Sequence, residues 1–566
     1  MKKIFSILLA SLAMSSCVDT VILPDNKILE EDYWKKKTEV EAVVGAAYAQ
    51  LCDETMMRNM IVWADFRSDE LIVNSTLPTS AKYKIPLDEI YSMNIQPNNT
   101  FTLWAPFYSA INYCNLVLEK AEGVISEDPN YTRGDYETTC AQMKALRAWC
   151  YFYLVRVFRD VPVTPGAYLE SSADLKAPQK APAEVLRMCI DDLLAVEAYA
   201  PANDAYGDER DYLYFNKDAV AALLADIYLW RASVNHSEED YRQCVAYCDK
   251  VIAAKKAYAQ KYFMRGLVDS DFYLYDCTSY YKSIFVSGYM PDTETRKSFG
   301  NLENIVEIAY NQNVVNNGPL WEMYHSYNKS STATGYLKTT EVYAKANGST
   351  SSSNIFKNEA DQRRYENCYN VAADVEDYDV RKYVALKGAD LKTAESRITV
   401  SNFQKDWVLY RLTDVILMKA EALVQLEQPE EAFALVKAVN DRALSDADRA
   451  QFELKYSTYS TRMEELVLME RARELCFEGK RWFDLMRYNY RHMEGVDYTK
   501  CFADMTEYAK NSEAFLDLAL VKYSVPAAMK AKMPTEPYLY MPINEEEIGL
   551  NTNLRQHPVY KSTSKY

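Results

Sequence analysis

Only four histidines occur in this 566-residue chain, His236, His325, His492 and His557, and none lies at ligand spacing from another. That scarcity removes the side chain on which most nucleophilic and zinc mechanisms lean. There is also no glycine-rich phosphate loop followed by Lys and Ser or Thr, and no G-x-S-x-G elbow. Positive charge is short: 64 Lys and Arg stand against 81 Asp and Glu, a net charge of −17, and a nucleic-acid groove needs the opposite balance. Beyond the N-terminus no stretch approaches the ~20 apolar residues of a membrane-spanning helix. The twelve cysteines have neither the density nor the spacing of a disulfide framework. Cys150, Cys189, Cys244 and Cys248 instead fall on helical stripes as small core residues. Cys244 and Cys248 lie one turn apart without a second Cys or His pair to complete a zinc site. The run Asp374 to Asp379 offers carboxylates but no EF-hand spacing. No metal, cofactor or catalytic residue is assigned.

What is present is a globular composition, 49% hydrophobic and 26% charged, in a chain longer than one ordinary core. It opens on Met1-Lys2-Lys3 and the apolar run Ile4 to Ala10, a charged region and a short hydrophobic one that read as a signal peptide over residues 1–16. The run closes in Ala13-Met14-Ser15-Ser16-Cys17, which resembles a bacterial lipobox with Met where Leu is usual. Cys17 is then the expected acylated first residue, and the mature chain is held to a membrane by lipid alone.

Apolar residues recur at helical spacing through Leu146, Cys150, Tyr153, Leu154, Val157 and Phe158, and again through Val220, Leu223, Leu224, Ile227 and Tyr228. Two regions read as helix-turn-helix repeat units. One runs from Ala219 through an Asn235-His236-Ser237 turn to Ile252; the other runs from Leu417 through Gln428-Pro429-Glu430-Glu431 to Asn440 and resembles a tetratricopeptide unit. Between residues 266 and 400, Gly, Pro and a Gly348 to Ser353 run interrupt short aromatic stretches, so loops dominate, with β-branched Ile305 to Tyr310 as a minor strand. The chain divides into a 17–265 helical region, a 266–400 loop-rich insert and a 401–566 helical region ending in a proline-rich tail. The expected class is mainly α, a tetratricopeptide-like scaffold with a loop-rich insert and minor β structure.

Four segments carry a family resemblance. They are Ala145-Leu146-Arg147-Ala148 with Tyr151 to Phe158 and Asp160-Val161-Pro162; Tyr410 to Ala422; Glu470 to Leu485; and Tyr540-Met541-Pro542-Ile543 with Glu545, Glu546, Ile548, Asn551, Asn553, Leu554, Gln556 and Pro558. Together they resemble the SusD/RagB family of outer-membrane lipoproteins. The family often ends in Asn-Pro-Gly-Tyr, where this chain has His557-Pro558-Val559-Tyr560. The resemblance implies a helical, surface-facing outer-membrane lipoprotein that captures an oligosaccharide, or in some members a peptide, and delivers it to a SusC-like TonB-dependent barrel without chemistry. A secreted helical glycosidase and a purely structural surface protein are the alternatives from other classes.

The family's matched segments are scaffold, so ligand residues come from the chain itself. With 46 tyrosines and 8 tryptophans, flat rings for stacking on sugar faces are abundant. Trp149, Trp230 and Trp482 belong to packing, and Trp104 to a helix start. The ligand candidates are aromatics outside the regular stripes: Trp63 near Arg67 and Asp69, and in the insert Tyr273, Tyr289, Trp321 and Tyr324. Asn311, Asn313, Asn316 and Asn317 could fringe Trp321 or cap turns. Glu470 and Glu474, one turn apart, read as a structural ion-pair network with Arg471, Arg473 and Arg481, with Gly479 as the helix C-cap.

Overall fold

A computed structural model describes residues 33–168, 176–208, 210–262, 405–522 and 527–560. Within the insert it describes 271–275, 277, 281–285, 302–310, 316–324, 335–344, 355–356, 358, 360–368 and 380–383. Cys17, Tyr289, Asn311, Asn313 and the Asp374 to Asp379 run lie outside the described residues.

Helices dominate, as the stripes require. The N-terminal half contributes α1 (Lys37–Ala49), α2 (Glu54–Met60), strand β1 (Leu71–Val73), α3 (Lys84–Tyr91), α4 (Ala105–Glu127), α5 (Arg133–Phe158), α6 (Pro182–Val196), α7 (Lys217–Asn235) and α8 (Glu238–Tyr262). The insert adds β2 (Asn304–Ile308), α9 (Gly318–Tyr324) and β3 (Leu337–Thr339), and the C-terminal region adds β4 (Trp407–Arg411), α10 (Leu412–Gln425), α11 (Pro429–Arg442), α12 (Met463–Leu475) and α13 (Arg481–Arg491). Local chemistry sets their ends. Thr132 and Asp135 cap α5 reciprocally, the Asn216 side chain accepts from Ala219 N at 2.9 Å to start α7, and Pro429 sits in the first turn of α11. Helix α7 stops at His236, which takes the left-handed conformation at φ 53°.

The two expected repeat units are the hairpins α7–α8 and α10–α11; α8 lies against α10, and α12 closes over α10 and α11. Helices α4, α5 and α6 pack in succession on the other side. The C-terminal half of α5 and nearly all of α7 are buried, which places them at the centre. One apolar core runs from Val40 to Leu554, and a smaller one fills the α10–α11–α12 stack.

The insert is stitched to both flanks by two antiparallel pairs. Leu71 faces Thr339 and Val73 faces Leu337 in β1–β3, while Asn304 faces Arg411 and Ile308 faces Trp407 in β2–β4. All five residues of β2 are buried, so the strand anticipated at Ile305 to Tyr310 is covered on both faces and shows no half-exposed alternation.

The four matched segments are joints of this body. At the first, Asp160 N donates to Phe158 O at 2.9 Å across Arg159, whose φ of 63° and ψ of −76° form a rare γ turn. The buried Arg159 guanidinium holds that turn by donating to Lys500 O and Asp160 Oδ1, both at 2.8 Å, while lying 4.1 Å from the Phe502 ring. At the last, Met541 N donates to Val157 O, Asn551 Nδ2 to Ala177 O and Arg555 N to Gln179 Oε1, each at 2.8 Å, so the proline-rich tail clasps the α5–α6 connection.

The third segment requires a correction. Helix α12 ends at Leu475, so Gly479 is not its C-cap. It sits four residues on, at φ +71°, where its N–H donates to Asp65 Oδ1 at 2.8 Å and an added Cβ would stand 3.0 Å from Trp407 Cζ2.

Candidate functional site

A dense network of buried charges surrounds Glu474. Glu474 accepts from Arg411 Nη1 at 2.6 Å and Arg363 Nη1 at 3.0 Å and also meets Arg442; Glu470 accepts from Arg363 at 2.7 Å and from Arg473. Glu478 takes Arg411 Nε at 2.7 Å and Lys382, while Glu303 takes Arg442 at 2.7 Å. Burial alone would raise Glu474, but Arg442, Arg411 and Arg363 hold it well below the usual carboxylate range. A carboxylate fixed in that state is no proton donor, and the pair is the structural network its composition suggested. Its partners differ from the expectation: of the three neighbouring arginines only Arg473 reaches it, since Arg471 turns to Asp414 and Asp484, and Arg481 to Asp69.

That last contact decides the setting of several ligand candidates. Asp69 accepts both Arg481 Nε at 2.8 Å and Nη2 at 3.0 Å. Arg67 is buried with its guanidinium 4.5 Å from the Trp482 ring, donating to Leu539 O at 2.7 Å. Trp63 lies in the wide helical turn Ile61–Phe66, donates to Phe101 O at 2.6 Å and packs on Phe107, Phe158 and Tyr153. Tyr324 is buried and donates to Asp65 Oδ2 at 2.7 Å. The fold thus gives the surfaces of Trp63, Arg67, Asp69 and Tyr324 to the core, and a ligand has no open route to them.

Two candidates keep accessible surface. Tyr273 is half-buried at φ 56°, its hydroxyl accepting from Gln260 Nε2 at 3.1 Å. Trp321 is half-buried on α9, beside Glu322, far along the chain from Tyr273 and on a different element. Asn317 takes the capping role: its Oδ1 accepts from Leu320 N at 3.2 Å at the start of α9, and its Nδ2 donates to Lys405 O at 2.8 Å.

Around α9 a rim of partly exposed polar groups lies over buried rings: the Glu322 side chain is 32% exposed and that of Arg58 14%, while Tyr83 and Tyr336 are buried. Glu322 accepts from Arg58 Nε at 2.9 Å, and Arg58 Nη2 also reaches Glu54 at 2.6 Å. The Arg58 guanidinium lies 5.4 Å from the Tyr83 ring, whose neighbour Lys82 is exposed with its ammonium 4.8 Å from that ring. Tyr336 meets Tyr83 edge-on at 5.2 Å, and its N–H donates to Glu322 O at 3.2 Å. Here α2, α3, α9 and the approach to β3 converge. Sequence reasoning missed Arg58, Lys82 and Glu322; only the Glu54–Arg58 spacing of four hinted at a paired face. Chemically the rim offers a forked donor and two carboxylate acceptors, a set suited to hydroxyl-rich ligands, and the half-buried Trp321 indole lies on the same short helix as one of those carboxylates.

Among the described residues no group of three or more His, Cys, Asp and Glu is placed to hold a metal ion, and no helix is long and apolar enough to cross a membrane.

Two family models match the chain: that of the SusD family over residues 283–560, and one described as starch-binding and associating with the outer membrane over residues 22–229. The SusD-like protein P38 of Formosa agariphila is 24% identical over 494 residues, 86% of this chain and 90% of that protein. The SusD-like protein P2 of the same organism is 23% identical over 485 residues, 84% of this chain and 88% of that protein. A SusD superfamily protein of Bacteroides thetaiotaomicron superposes with a TM-score of 0.65 at 20% identity, over 93% of this chain and 99% of that one. B. fragilis NanU superposes with a TM-score of 0.64 at 19% identity, over 96% of this chain and all of the other (100%). At such identities these superpositions establish the fold.

Proposed function

This chain belongs to the SusD family, and on that premise we propose that it is a lipid-anchored protein of the outer-membrane surface that binds an oligosaccharide nutrient and passes it to a SusC-like TonB-dependent barrel. The family is one of glycan-binding surface proteins associated with the outer membrane, and its members bind rather than catalyse. Three finer elements are the proposal: anchoring through Cys17, supported by the lipobox-like Ala13 to Cys17; the barrel as recipient; and the ligand site.

The observation that carries the site is the α9 rim. Trp321 is half-buried on the same short helix as Glu322, which is tied to Arg58 and through it to Glu54, whereas the Trp63 and Tyr324 rings are buried. An indole face stacks on the C–H face of a pyranose while the carboxylates and guanidinium take its hydroxyls. Tyr273 is assigned a second, separate contact area on the α8 side of the molecule.

Titration calorimetry of a soluble form begun at Val18, against neutral oligosaccharides and short peptides with product analysis of the same mixtures, tests this reading. Saturable glycan binding without cleavage, weakened by Trp321→Ala, is the expected result. Binding of peptides alone would move the assignment to a peptide carrier, released sugar would make the chain a glycosidase, and no affinity for either would leave a structural partner of the barrel.

A further inference from the structure

Helix α9 is seven residues long, yet it carries the one tryptophan on which the binding rim depends. It is held to the body on several sides, with Pro319 also buried and Tyr336 N donating to Glu322 O at 3.2 Å. Leu320, Met323 and Tyr324 are buried, Asn317 caps its start, Glu322 is tied to Arg58, and one turn beyond Trp321 the Tyr324 hydroxyl donates to Asp65 Oδ2 at 2.7 Å. Asp65 is wholly buried in the Ile61–Phe66 turn, and its other oxygen accepts from Gly479 N at 2.8 Å. One carboxylate therefore joins three segments far apart in the sequence, and the insert's share of that joint is α9.

The Tyr324 ring is fixed on its other sides as well, 6.3 Å from Tyr383 in a stacked arrangement and 6.2 Å from Phe477. Rings constrain a tyrosine within a layer and leave sliding and rotation open; a directed hydrogen bond to a buried carboxylate sets register. A shallow binding rim depends on that register, because a displacement of about 1 Å in a contact group is enough to lose a productive geometry.

We infer that Asp65 is a positioning residue for ligand binding: through the Tyr324 hydroxyl it fixes α9, and so sets where the Trp321 ring stands on the rim. This rests on the α9 rim being the ligand site, as proposed above. It assigns Tyr324 a role behind the rim in place of the ligand contact its sequence position suggested.

The test uses Tyr324→Phe, which removes one hydroxyl and keeps the ring packing, in the protein begun at Val18 and labelled with 5-fluorotryptophan. The Trp321 fluorine resonance is identified by its loss in Trp321→Phe. The expected result in the unliganded protein is a shifted or broadened Trp321 line with the Trp149 and Trp230 lines unmoved, since a general loosening of the fold would disturb those core rings too. Titration with linear glucan, mannan and galactan heptasaccharides is expected to show affinity for the bound member falling roughly tenfold. An unmoved Trp321 line together with unchanged affinity overturns the inference. Should Trp321→Ala leave glycan binding intact, the rim as ligand site fails instead, while the fluorine line of Tyr324→Phe still decides whether Asp65 sets α9. Asp65→Asn serves as the second variant and is expected to move the same line.

Discussion

Replacing Glu474 by Gln is a demanding test of the buried charge network, because it changes one charge and almost no volume. Among the described residues ion pairs join five cations, Arg363, Arg411, Arg442, Arg473 and Lys382, to five carboxylates, Asp361, Glu303, Glu470, Glu474 and Glu478, so these ten are balanced. Glu474→Gln leaves them with one uncompensated positive charge in a region closed to water. Each stranded arginine keeps another carboxylate: Arg363 has Asp361 at 2.8 Å and Glu470 at 2.7 Å, Arg411 has Glu478 at 2.7 Å, and Arg442 has Glu303 at 2.7 Å. Breaking a buried pair costs about 3–5 kcal/mol, and these remaining partners place the expected loss near the lower end, about 3 kcal/mol. Urea unfolding followed by far-ultraviolet circular dichroism measures it. Glu122→Gln is the control, since its partner Arg133 and Glu122 itself are both 61% exposed, and such a pair contributes less than about 1 kcal/mol. If Glu474→Gln costs no more than that control, the network is not what ties β4, α11 and α12 to the insert, and the reasoning is refuted.

Other consequences follow from single residues. Gly479→Ala must adopt φ near +71° and bring its Cβ to 3.0 Å from Trp407, so a loss of about 1–3 kcal/mol is expected in the same unfolding assay; an unchanged midpoint would contradict the close approach. Glu536 is pushed up from 4.5 to about 7 by burial, with Arg159 Nε 3.6 Å away. A carboxyl raised in the folded state stabilises fully below its unfolded value and loses that contribution as pH rises through about 7. The stability of Glu536→Gln relative to the parent chain should therefore climb by up to about 3 kcal/mol between pH 4.5 and 8, and a flat difference across that range would sink the assignment. Arg58→Ala is expected to lower glycan affinity about tenfold, the loss of one charge-assisted contact, and also to lower the melting temperature, because the side chain is 14% exposed and pairs with Glu54 and Glu322; equal loss of affinity from Arg242→Ala, on the outer face of α8, would show the effect is not local.

Much of the fold was legible in the residues. The stripes of α5 and α7, the Asn235-His236-Ser237 and Gln428-Pro429 turns, the strand near Ile305 and the packing roles of Trp149, Trp230 and Trp482 all depend on local periodicity, capping and turn chemistry, which act over a few residues. The candidate site was legible only in part. Trp63 and Tyr324 stand outside a helical stripe just as Trp321 does, and local pattern assigns all three to irregular surroundings without saying which side of those surroundings faces water.

What the sequence determined alone is therefore what short-range physics controls: a mostly helical scaffold with two repeat hairpins, and the family to which its four segments point. What only tertiary structure decided is the pairing of groups distant along the chain. Glu474 found Arg363, Arg411 and Arg442 in preference to its sequence neighbours, Asp69 found Arg481 412 residues away, and Asp65 collected Tyr324 and Gly479. A buried charge must be matched by whatever partner the packed helices bring within reach. That requirement is satisfied in three dimensions, and it took Trp63, Arg67, Asp69 and Tyr324 into the core while leaving Trp321 and Glu322 half-buried.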